Sequence, residues 1–372
     1  MEYGLTLNDE QRALQDMAAG FATEFANVRK GAEHDGELWQ RMVELGWAAV
    51  HAPEAFGGLE MGATELCLLM EEMGRQLLRS PFLPSVVLAQ TLVMEAGSEA
   101  AKAEWLPRLV EGQVATVIAA PALGFADDGV FAVSACAAGA DWVLDGTAEQ
   151  VLDCGASEVA FVVARLDGGG VGVFAVPAGA EGVTRAALDA WDPSRPQSSW
   201  HFRSVKVPAV ARVDGEGVDV AMAYRRSVAL AALAVAAEQV GGAAQCLALT
   251  VAYTAERAQF GKPVATFQAV KHRCAEMMVQ LETARSAARG VAARFAELDP
   301  KALFGQVAVA RVLATGAYRY CAQEAIQLHG GVGFTWEYDP QLHFKRAQSA
   351  SQWFGRVEHW RERLAADLMD RA

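Results

Sequence analysis

Two separate segments of this chain carry side chains that could hold a large phosphorylated ligand. The first, 257–273, begins with Arg257 and contains Phe260, and the second, 327–337, contains a Gly-Gly pair. An arginine presents a planar fork of donors to a diphosphate, and a phenylalanine offers a flat apolar face. Glycines, which lack a Cβ, let the backbone approach a ligand closely. Together these are the parts of a dinucleotide-binding clamp.

The secondary structure that must position this clamp is predicted to change along the chain, from helices to strands and back to helices. From Asn8 to about Glu111, apolar residues recur every three or four positions and Asn8 precedes two acidic residues, which predicts helices with a capped start. From Ala115 to about Val213, short β-branched and aromatic runs alternate with turns rich in Gly and Asp, which predicts an antiparallel sheet. Helical periodicity returns in long segments from Val218 onward, which predicts an antiparallel four-helix bundle.

These regimes predict an α+β multidomain fold. Its parts are an N-terminal all-α domain at 1–114, a central antiparallel β-barrel or sandwich domain at 115–213, and a C-terminal antiparallel four-helix bundle at 214–372. Inside the first long helix of the bundle, Gly241 and Gly242 would each cost about 1 kcal/mol relative to alanine. Their presence predicts a close helix crossing at that point.

The amino-acid composition is typical of a globular protein without a zinc site or a disulfide framework. With 372 residues, of which 52% are apolar and 21% charged, the chain can bury an ample core. Its six cysteines are scattered without a Cys-x-x-Cys pair, and no histidines stand at metal-ligand spacing, so neither a zinc site nor a disulfide framework is predicted. We expect no bound metal and a location in a reducing cytoplasm.

Charge and hydropathy argue against two further partners. A net charge of −13, with only short basic clusters, argues against binding to nucleic acid. The first residues lack the basic and apolar regions of an export signal, and apolar runs such as 228–237 are too short to span a bilayer. We therefore expect a chain that is neither exported nor inserted in a membrane.

The order of short motifs along the chain resembles that of the acyl-CoA dehydrogenase family. The helical phrase at 38–47, the Gly-Gly turn at 53–58, the Glu-Glu-Met-Gly-Arg phrase at 71–75 and the two clamp segments follow one another as in that family. The resemblance implies FAD-dependent α,β-desaturation of an acyl-CoA thioester, in which a carboxylate removes the α-proton while the β-hydride passes to the flavin. It also implies electron-transfer flavoprotein as the electron acceptor.

The resemblance further implies a dimer or tetramer. In the family, the flavin ring and the substrate lie between the β domain and the bundle of one subunit, whereas the neighbouring subunit holds the ADP end of the same FAD. The residues that carry over to this ADP-binding set are Arg257, Gln259, Phe260, Phe267, Gln268, Gln327, His329, Gly330 and Gly331.

The flavin-side and catalytic positions depart from the family. Where the family has its catalytic glutamate, just before a glycine near the C-terminus, this chain has Phe354. Ala119 stands where a threonine hydroxyl would reach the flavin edge, and the Gln-Val-Leu stretch at 150–152 replaces the Trp-Ile-Thr segment that covers the ring. The other family location for the base falls at about Ala231, which has no carboxylate.

One acidic residue could act as a substitute base. Glu238 lies two helical turns after Ala231 on the same face, so it is a candidate, although an ion pair or a helix cap is the commoner role of such a residue. Glu337 and Asp339 follow the Gly-rich turn and are interpreted as structural polar contacts.

Two hypotheses follow from a site that keeps the ADP-binding residues but lacks the flavin-side and catalytic residues of the family. In the first, the chain is one subunit of a heteromeric enzyme similar to some bacterial steroid-degrading acyl-CoA dehydrogenases, and it lends its ADP clamp while a partner supplies the glutamate and the flavin bed. In the second, the chain is a homo-oligomer, with either a relocated base or a non-catalytic role as an FAD-binding, acyl-CoA-binding or scaffold protein. The FAD content of the isolated chain discriminates between them.

Overall fold

The computed structural model describes residues 6–26, 28–30, 36–123, 129–152 and 155–369. The chain divides into two compact units. The first, called the bundle unit, comprises Met1–Arg29, Ala63–Leu78 and Ala232–Ala372, and the second, called the sheet unit, comprises Lys30–Gly62 and Arg79–Ala231. The division into three domains stays a prediction.

Helices occupy both ends of the chain, which confirms that part of the predicted fold class. Within the described residues the α-helices are α1 (Asp9–Glu24), α2 (Gly36–Glu44), α3 (Ala63–Arg75), α4 (Thr91–Ala96), α5 (Glu99–Val110), α6 (Val220–Glu256), α7 (Gln268–Ala292), α8 (Pro300–His329), α9 (Pro340–Ala350) and α10 (Val357–Met369). A π-helix, Phe82–Gln90, precedes α4 and is buried along its whole length. The periodicity of the sequence does not predict α9.

Local sequence explains where two of these helices begin. The Asn8 side chain accepts from the Gln11 N–H at 2.8 Å, and the Gln11 side chain accepts from the Asn8 N–H at 3.1 Å, which is the reciprocal capping box that starts α1. Asp299 caps α8 by accepting from the Ala302 N–H at 3.0 Å, with Pro300 as the first helical residue.

The sheet unit contains a mixed sheet. Its strands are β1 (Ala115–Ile118), β2 (Val133–Ala138), β3 (Asp141–Leu152), β4 (Val159–Leu166), β5 (Val171–Pro177), β6 (Val183–Ala187) and β7 (Gln197–Val207). The strand order is β1-β4-β2-β3-β7-β6, and β5 also pairs with β4.

The prediction of a purely antiparallel sheet is wrong in two pairings. Strand β4 runs parallel to β1, where Ala115 lies opposite Val159, and parallel to β2, where Val133 lies opposite Ala164. The other pairings in this sheet are antiparallel. Turn residues indicate hairpins such as β2–β3 and β4–β5, but the parallel pairs join strands that are distant in sequence, and no local turn encodes them.

Aromatic side chains form much of the core of the sheet unit. Trp200 and Phe202 on β7 and Phe174 on β5 are at most 2% exposed, and Trp142 on β3 meets Phe174 edge-on with ring centres 5.4 Å apart. Burying a large apolar side chain contributes about 1.5–3 kcal/mol. This packing anchors β3, the strand that carries Gln150.

In the bundle unit, α3 and α6 cross with their backbones in close contact. A Cβ at Gly74 would lie 2.1 Å from the Glu238 carbonyl oxygen, and one at Gly241 would lie 1.8 Å from the Glu71 carbonyl oxygen. Neither position has room for a side chain unless the helices move apart. The predicted close crossing at Gly241 is therefore confirmed.

Helix α6 is long and apolar enough to cross a membrane by length and composition, and no other described helix meets both criteria. Its most apolar window has a mean hydropathy of 1.4 and is wholly buried inside the protein. Core helices of soluble proteins meet the same two criteria, so this helix is only weak evidence for a membrane span.

Candidate cofactor site and base loop

The two clamp segments lie together in the bundle unit. Tyr253, near the end of α6, stacks on His329 at the end of α8, with ring centres 4.3 Å apart and planes inclined by 19°. The Arg257 N–H donates to the Tyr253 carbonyl at 2.9 Å, so Arg257 follows this contact by one helical turn. The ring stack therefore brings the start of the first segment beside the Gly-Gly turn of the second.

A short hairpin presents Phe260 to solvent. Strands β8 (Ala258–Gln259) and β9 (Lys262–Pro263) pair antiparallel. The two turn residues, Phe260 and Gly261, have φ values of 55° and 79°, both positive as in type I′ turns. A positive φ is uncommon for a bulky residue, and the Phe260 side chain is 91% exposed. A flat apolar face thus stands free at the tip of the hairpin.

The first clamp segment is basic within an acidic protein. Residues 257–273 carry Arg257, Lys262, Lys271 and Arg273 and no carboxylate, whereas the whole chain has a net charge of −13. Arg257 is exposed and makes no ion pair or side-chain hydrogen bond with any described residue. Its guanidinium is therefore available to a phosphate.

Further residues of the predicted set are Phe267 and three glutamines, of which Gln327 belongs to the second clamp segment. Phe267 meets Phe260 edge-on with ring centres 6.1 Å apart, and the Lys262 ammonium lies 4.5 Å from the centre of the Phe267 ring. Three exposed amide side chains complete the set: Gln259, Gln268 and Gln327. Aromatic faces beside a cation suit the base and phosphates of a nucleotide.

The Gly-Gly turn leaves its backbone uncovered. Gly330 caps α8 with a φ of 67°, and its N–H donates to the carbonyls of Gln327 and Ile326. A Cβ at Gly330 or Gly331 would meet no atom within 4 Å, whereas one at Gly333 would lie 2.8 Å from the Ile326 carbonyl. The Gly-Gly pair is thus open to a ligand and is not pressed against the protein.

His329 is buried beneath this turn. Its Nδ1 lies 2.6 Å from the Ala325 carbonyl, so Nδ1 carries the hydrogen and donates it, while Tyr338 packs against the ring at 6.1 Å between ring centres. Burial lowers the pKa of His329 below its usual value, and the hydrogen bond opposes that shift. The neutral imidazole supports the turn from inside, and its contact with a cofactor stays a prediction.

The loop at the family's base position carries no acid. This loop, residues 353–355, is called the base loop. Phe354 is fully buried with a φ of 54°, and Gly355 follows with a φ of 101°. An aromatic ring cannot accept the substrate proton. Arg311 of α8, also fully buried, donates to the Trp353 carbonyl at 3.0 Å.

Glu238, the candidate substitute base, forms an ion pair. Its partner is Arg346 of α9, and the two side chains are 4% and 3% exposed. This is the commoner role that the sequence indicates for such a residue. A carboxylate that accepts from a guanidinium is a weaker proton acceptor, so the pairing opposes a catalytic role. Ala231, the other family location, is fully buried.

The positions expected beside the flavin lie in the sheet unit. Ala119 is buried, and its carbonyl accepts from the Ala132 N–H at 2.7 Å. Gln150 has a φ of 52° and lies at an irregularity in the pairing of β3 with β7. Gly124 and Phe125, at the end of the same expected flavin-side phrase, lie outside the described residues.

The described residues fit one end of FAD. A free Arg257, an exposed Phe260 and an uncovered Gly-Gly backbone suit the diphosphate and the adenine. Ala119 and Gln150 offer the flavin ring neither a hydroxyl nor an indole. The described part of the chain also contains no group of three His, Cys, Asp or Glu side chains that could hold a metal ion.

Two residues that organise these sites are absent from the residues predicted from the sequence. Tyr253 joins the clamp segments, and its place one turn before Arg257 was an available signal. Arg311 holds the base loop, but nothing in the sequence distinguishes it from a solvated arginine on a helix.

Family models match both ends of the chain. The model described as the acyl-CoA dehydrogenase N-terminal domain matches residues 8–113, and the one described as the acyl-CoA dehydrogenase C-terminal domain matches residues 215–369. The acyl-CoA dehydrogenase IpdE2 of Mycolicibacterium smegmatis is 28% identical over 97% of this chain and 100% of its own length. IpdE2 of Mycobacterium tuberculosis is 30% identical over 90% of this chain and 87% of its own length.

Solved structures agree with these matches. The ChsE4-ChsE5 complex from Mycobacterium tuberculosis superposes with a TM-score of 0.87 at 28% identity, covering 100% of this chain and 99% of that chain. A variant of the steroid acyl-CoA dehydrogenase Tcur3481-Tcur3483 gives a TM-score of 0.86 at 27% identity, covering 98% and 99%. Motifs, fold and relatives therefore agree, and this chain belongs to the acyl-CoA dehydrogenase family, whose members are FAD-dependent oxidoreductases.

Proposed function

We propose that this chain is one subunit of a heteromeric acyl-CoA dehydrogenase. In this assembly it lends its ADP clamp to FAD, while a second chain of the same family supplies the catalytic glutamate and the bed for the flavin ring. The observation that best supports the proposal is the contrast between the clamp and the base loop, which both belong to the bundle unit. An exposed, basic clamp stands in the same unit as a base loop that holds Phe354.

Each part of the clamp would act through its own groups. Arg257 would pair with the diphosphate through charge-assisted hydrogen bonds, and the backbone at Gly330 and Gly331 would let the nucleotide approach closely. FAD, when bound, supplies the acceptor for the β-hydride of the acyl-CoA. Because Phe354 moves no proton, a carboxylate of the partner must take the α-proton.

The names of two solved relatives support this arrangement. One is a complex of unlike proteins, ChsE4 and ChsE5, and the other is described as a steroid acyl-CoA dehydrogenase. A steroid-derived or fatty acyl-CoA is therefore the proposed substrate, and electron-transfer flavoprotein is the proposed electron acceptor. We also propose a cytoplasmic location, which the free cysteines of the described residues support.

A second candidate is a homo-oligomer that binds FAD or acyl-CoA without oxidising it. The buried ion pair between Glu238 and Arg346 favours this candidate over a homo-oligomer with a relocated base. A relocated base would need a carboxylate that is free to accept a proton, and Glu238 is engaged with a guanidinium.

Anaerobic reduction of bound flavin tests the proposal. The chain is purified alone and after coexpression with a candidate partner of the same family, and each preparation is mixed with fatty and steroid acyl-CoAs. We expect the flavin absorbance to bleach only in the coexpressed complex, and only while the partner retains its glutamate. Equal bleaching by the chain alone would contradict the proposal. A flavin-containing complex that no acyl-CoA bleaches would favour the non-catalytic candidate.

A further inference from the structure

The hydrogen bonds that hold the base loop involve its backbone and not the side chain at position 354. Arg311 Nη2 donates to the Ala350 carbonyl at 3.1 Å and to the Trp353 carbonyl at 3.0 Å. On the other side, the Trp360 indole N–H donates to the Gly355 carbonyl at 3.2 Å. Every acceptor in these contacts is a main-chain carbonyl. The contacts therefore do not depend on which residue stands at 354.

The fold buries a full positive charge to make these contacts. Arg311 is 0% exposed, and burying a guanidinium is strongly unfavourable unless its donors are satisfied. Its Nη1 donates to Gln239 Oε1 at 2.7 Å, and the same oxygen accepts from the Thr315 hydroxyl at 3.1 Å. The carbonyls at the C-terminal end of α9 carry partial negative charge, which also favours a cation there. Arg311 thus fixes the end of α9.

A second buried cation fixes the same helix. Arg346 lies one turn before Ala350 on α9 and pairs with Glu238 of α6. Glu238 is the neighbour in sequence of Gln239, which binds Arg311. Adjacent residues of α6 therefore hold α9 through two buried arginines, and Glu238 belongs to this support.

The supported loop holds residue 354 in an uncommon conformation. The φ of Phe354 is 54°, a region that bulky residues seldom adopt and that persists where the surroundings impose it. Gly355 follows with a φ of 101°, and a Cβ there would lie 3.0 Å from the Trp360 Nε1 atom. The backbone of this loop is thus specified in detail, although its central side chain has no acid–base function.

We propose that Arg311 is the positioning residue of the base loop, which it holds in one conformation whatever the side chain at 354. This chain has then lost the catalytic carboxylate but kept the backbone that would aim one. The catalytic meaning of the loop rests on the proposed function. The geometric role of Arg311 does not.

Amide hydrogen exchange of the loop tests the geometric role. The peptide spanning 350–356 is compared in the wild type, Arg311→Met, Arg311→Lys, Phe354→Leu and a control, Arg319→Met, which changes an exposed arginine on the same helix. We expect exchange to rise about tenfold in Arg311→Met, as when hydrogen bonds to a charged group are lost, and to rise less in Arg311→Lys. Phe354→Leu and Arg319→Met should leave the loop protected.

A peptide of α7 and the urea midpoint are measured in each variant, because Arg311→Met could weaken the whole bundle. Exchange that rises at the loop in Arg311→Lys while α7 stays protected supports positioning. Three outcomes would overturn it: an unchanged loop in both Arg311 variants, a rise that is equal in the loop and in α7 for both, or a loop that Phe354→Leu releases by itself.

A kinetic readout separates this inference from the proposed function. In the isolated chain supplied with excess FAD, where no partner glutamate acts, we expect Phe354→Glu to add flavin reduction, and Arg311→Lys in that background to lower kcat with little change in KM. An unchanged kcat in an active double variant would overturn the positioning role. If loop exchange follows Arg311 but Phe354→Glu adds no reduction, the positioning role stands and the catalytic meaning of position 354 fails.

Discussion

The clamp and the base loop belong to the same compact unit but differ in what they retain. The clamp has its ligand-facing groups in place: Arg257 is free of partners among the described residues, and the Gly-Gly backbone is uncovered. The base loop has a closely specified backbone, but Phe354 replaces the acid. Side chains that touch a ligand can therefore change while the backbone that positions them stays.

The exposure of apolar and charged side chains in the clamp, compared with the burial of Phe354 in the base loop, indicates which of the two regions still binds a ligand. Phe260 is 91% exposed and gains almost nothing from folding. Of the four cations in segment 257–273, Arg273 pairs with Glu324 of α8, whereas Arg257 makes no ion pair with a described residue. These features make sense when a phosphate-bearing ligand or a partner covers them. Phe354, in contrast, is fully buried and contributes to packing without any ligand.

Among the changes considered, restoring an acid at position 354 should have the largest effect, and it should act on the rate of acyl-CoA oxidation. Loss of a general base costs about 10² to 10⁴ in rate, so Phe354→Glu should raise acyl-CoA oxidation within that range in the isolated chain supplied with excess FAD, where no partner glutamate contributes. Dye reduction driven by acyl-CoA measures the rate, and Glu238→Gln serves as the matched change of a different carboxylate. An ordinary wild-type rate that Glu238→Gln abolishes without loss of FAD would make Glu238 the base and end the partner-subunit proposal.

Breaking the buried ion pair should affect stability and not chemistry. Glu238→Ala leaves the Arg346 guanidinium buried without this carboxylate, so the free energy of unfolding should fall by about 3–5 kcal/mol. Urea unfolding followed by tryptophan fluorescence measures it. Glu238→Leu combined with Arg346→Met removes both charges and should recover most of the loss. A single variant as stable as the wild type would show that the pair does not support the fold.

Removing the clamp arginine should weaken FAD and leave the fold intact. A charge-assisted contact to a phosphate contributes about 1.5–3 kcal/mol, so Arg257→Ala should raise the Kd for FAD about 10- to 100-fold in the assembly that binds it. Quenching of flavin fluorescence on binding gives the Kd. Arg294→Ala, at an exposed position beyond the far end of α7, should have no effect. Equal affinities of the Arg257 and Arg294 variants would remove the clamp assignment.

The smallest expected effect is on stability, from a change at the crossing of α3 and α6. Gly241→Ala places a Cβ against the α3 backbone and should destabilise the fold by about 1–3 kcal/mol, as overpacking does. Gly316→Ala in α8, where a Cβ would meet no atom within 4 Å, should be neutral or stabilise by up to about 1 kcal/mol. Thermal unfolding of the two variants compares them, and a neutral Gly241→Ala would mean that the helices separate easily.

The order of the elements and the chemistry of the clamp could be predicted from the sequence, because both depend on residue type and spacing. Arg257, Phe260 and the Gly-Gly pair have defined chemical uses wherever they lie. The capping box at Asn8 and the crossing at Gly241 also follow from local rules, since each concerns one helix and its immediate packing.

Features that depend on distant contacts could not be predicted. The parallel pairing of β4 with β1 and β2 is decided by the packing of the whole sheet, and no turn between those strands encodes it. The burial of Arg311 depends on Gln239 and on two carbonyls near α9, which the fold brings together from separate helices. The sequence shows the phenylalanine at 354 but not the left-handed backbone that carries it.

The FAD content of the purified chain shows whether this chain, which has the clamp for one end of FAD, lacks a complete site for the flavin ring. Flavin released by denaturation is quantified per chain, for the protein purified alone and for the same protein coexpressed with a candidate partner. We expect little or loosely held FAD on the isolated chain and about one FAD per pair of unlike chains in the complex. Tightly bound FAD on every copy of the isolated chain would contradict it.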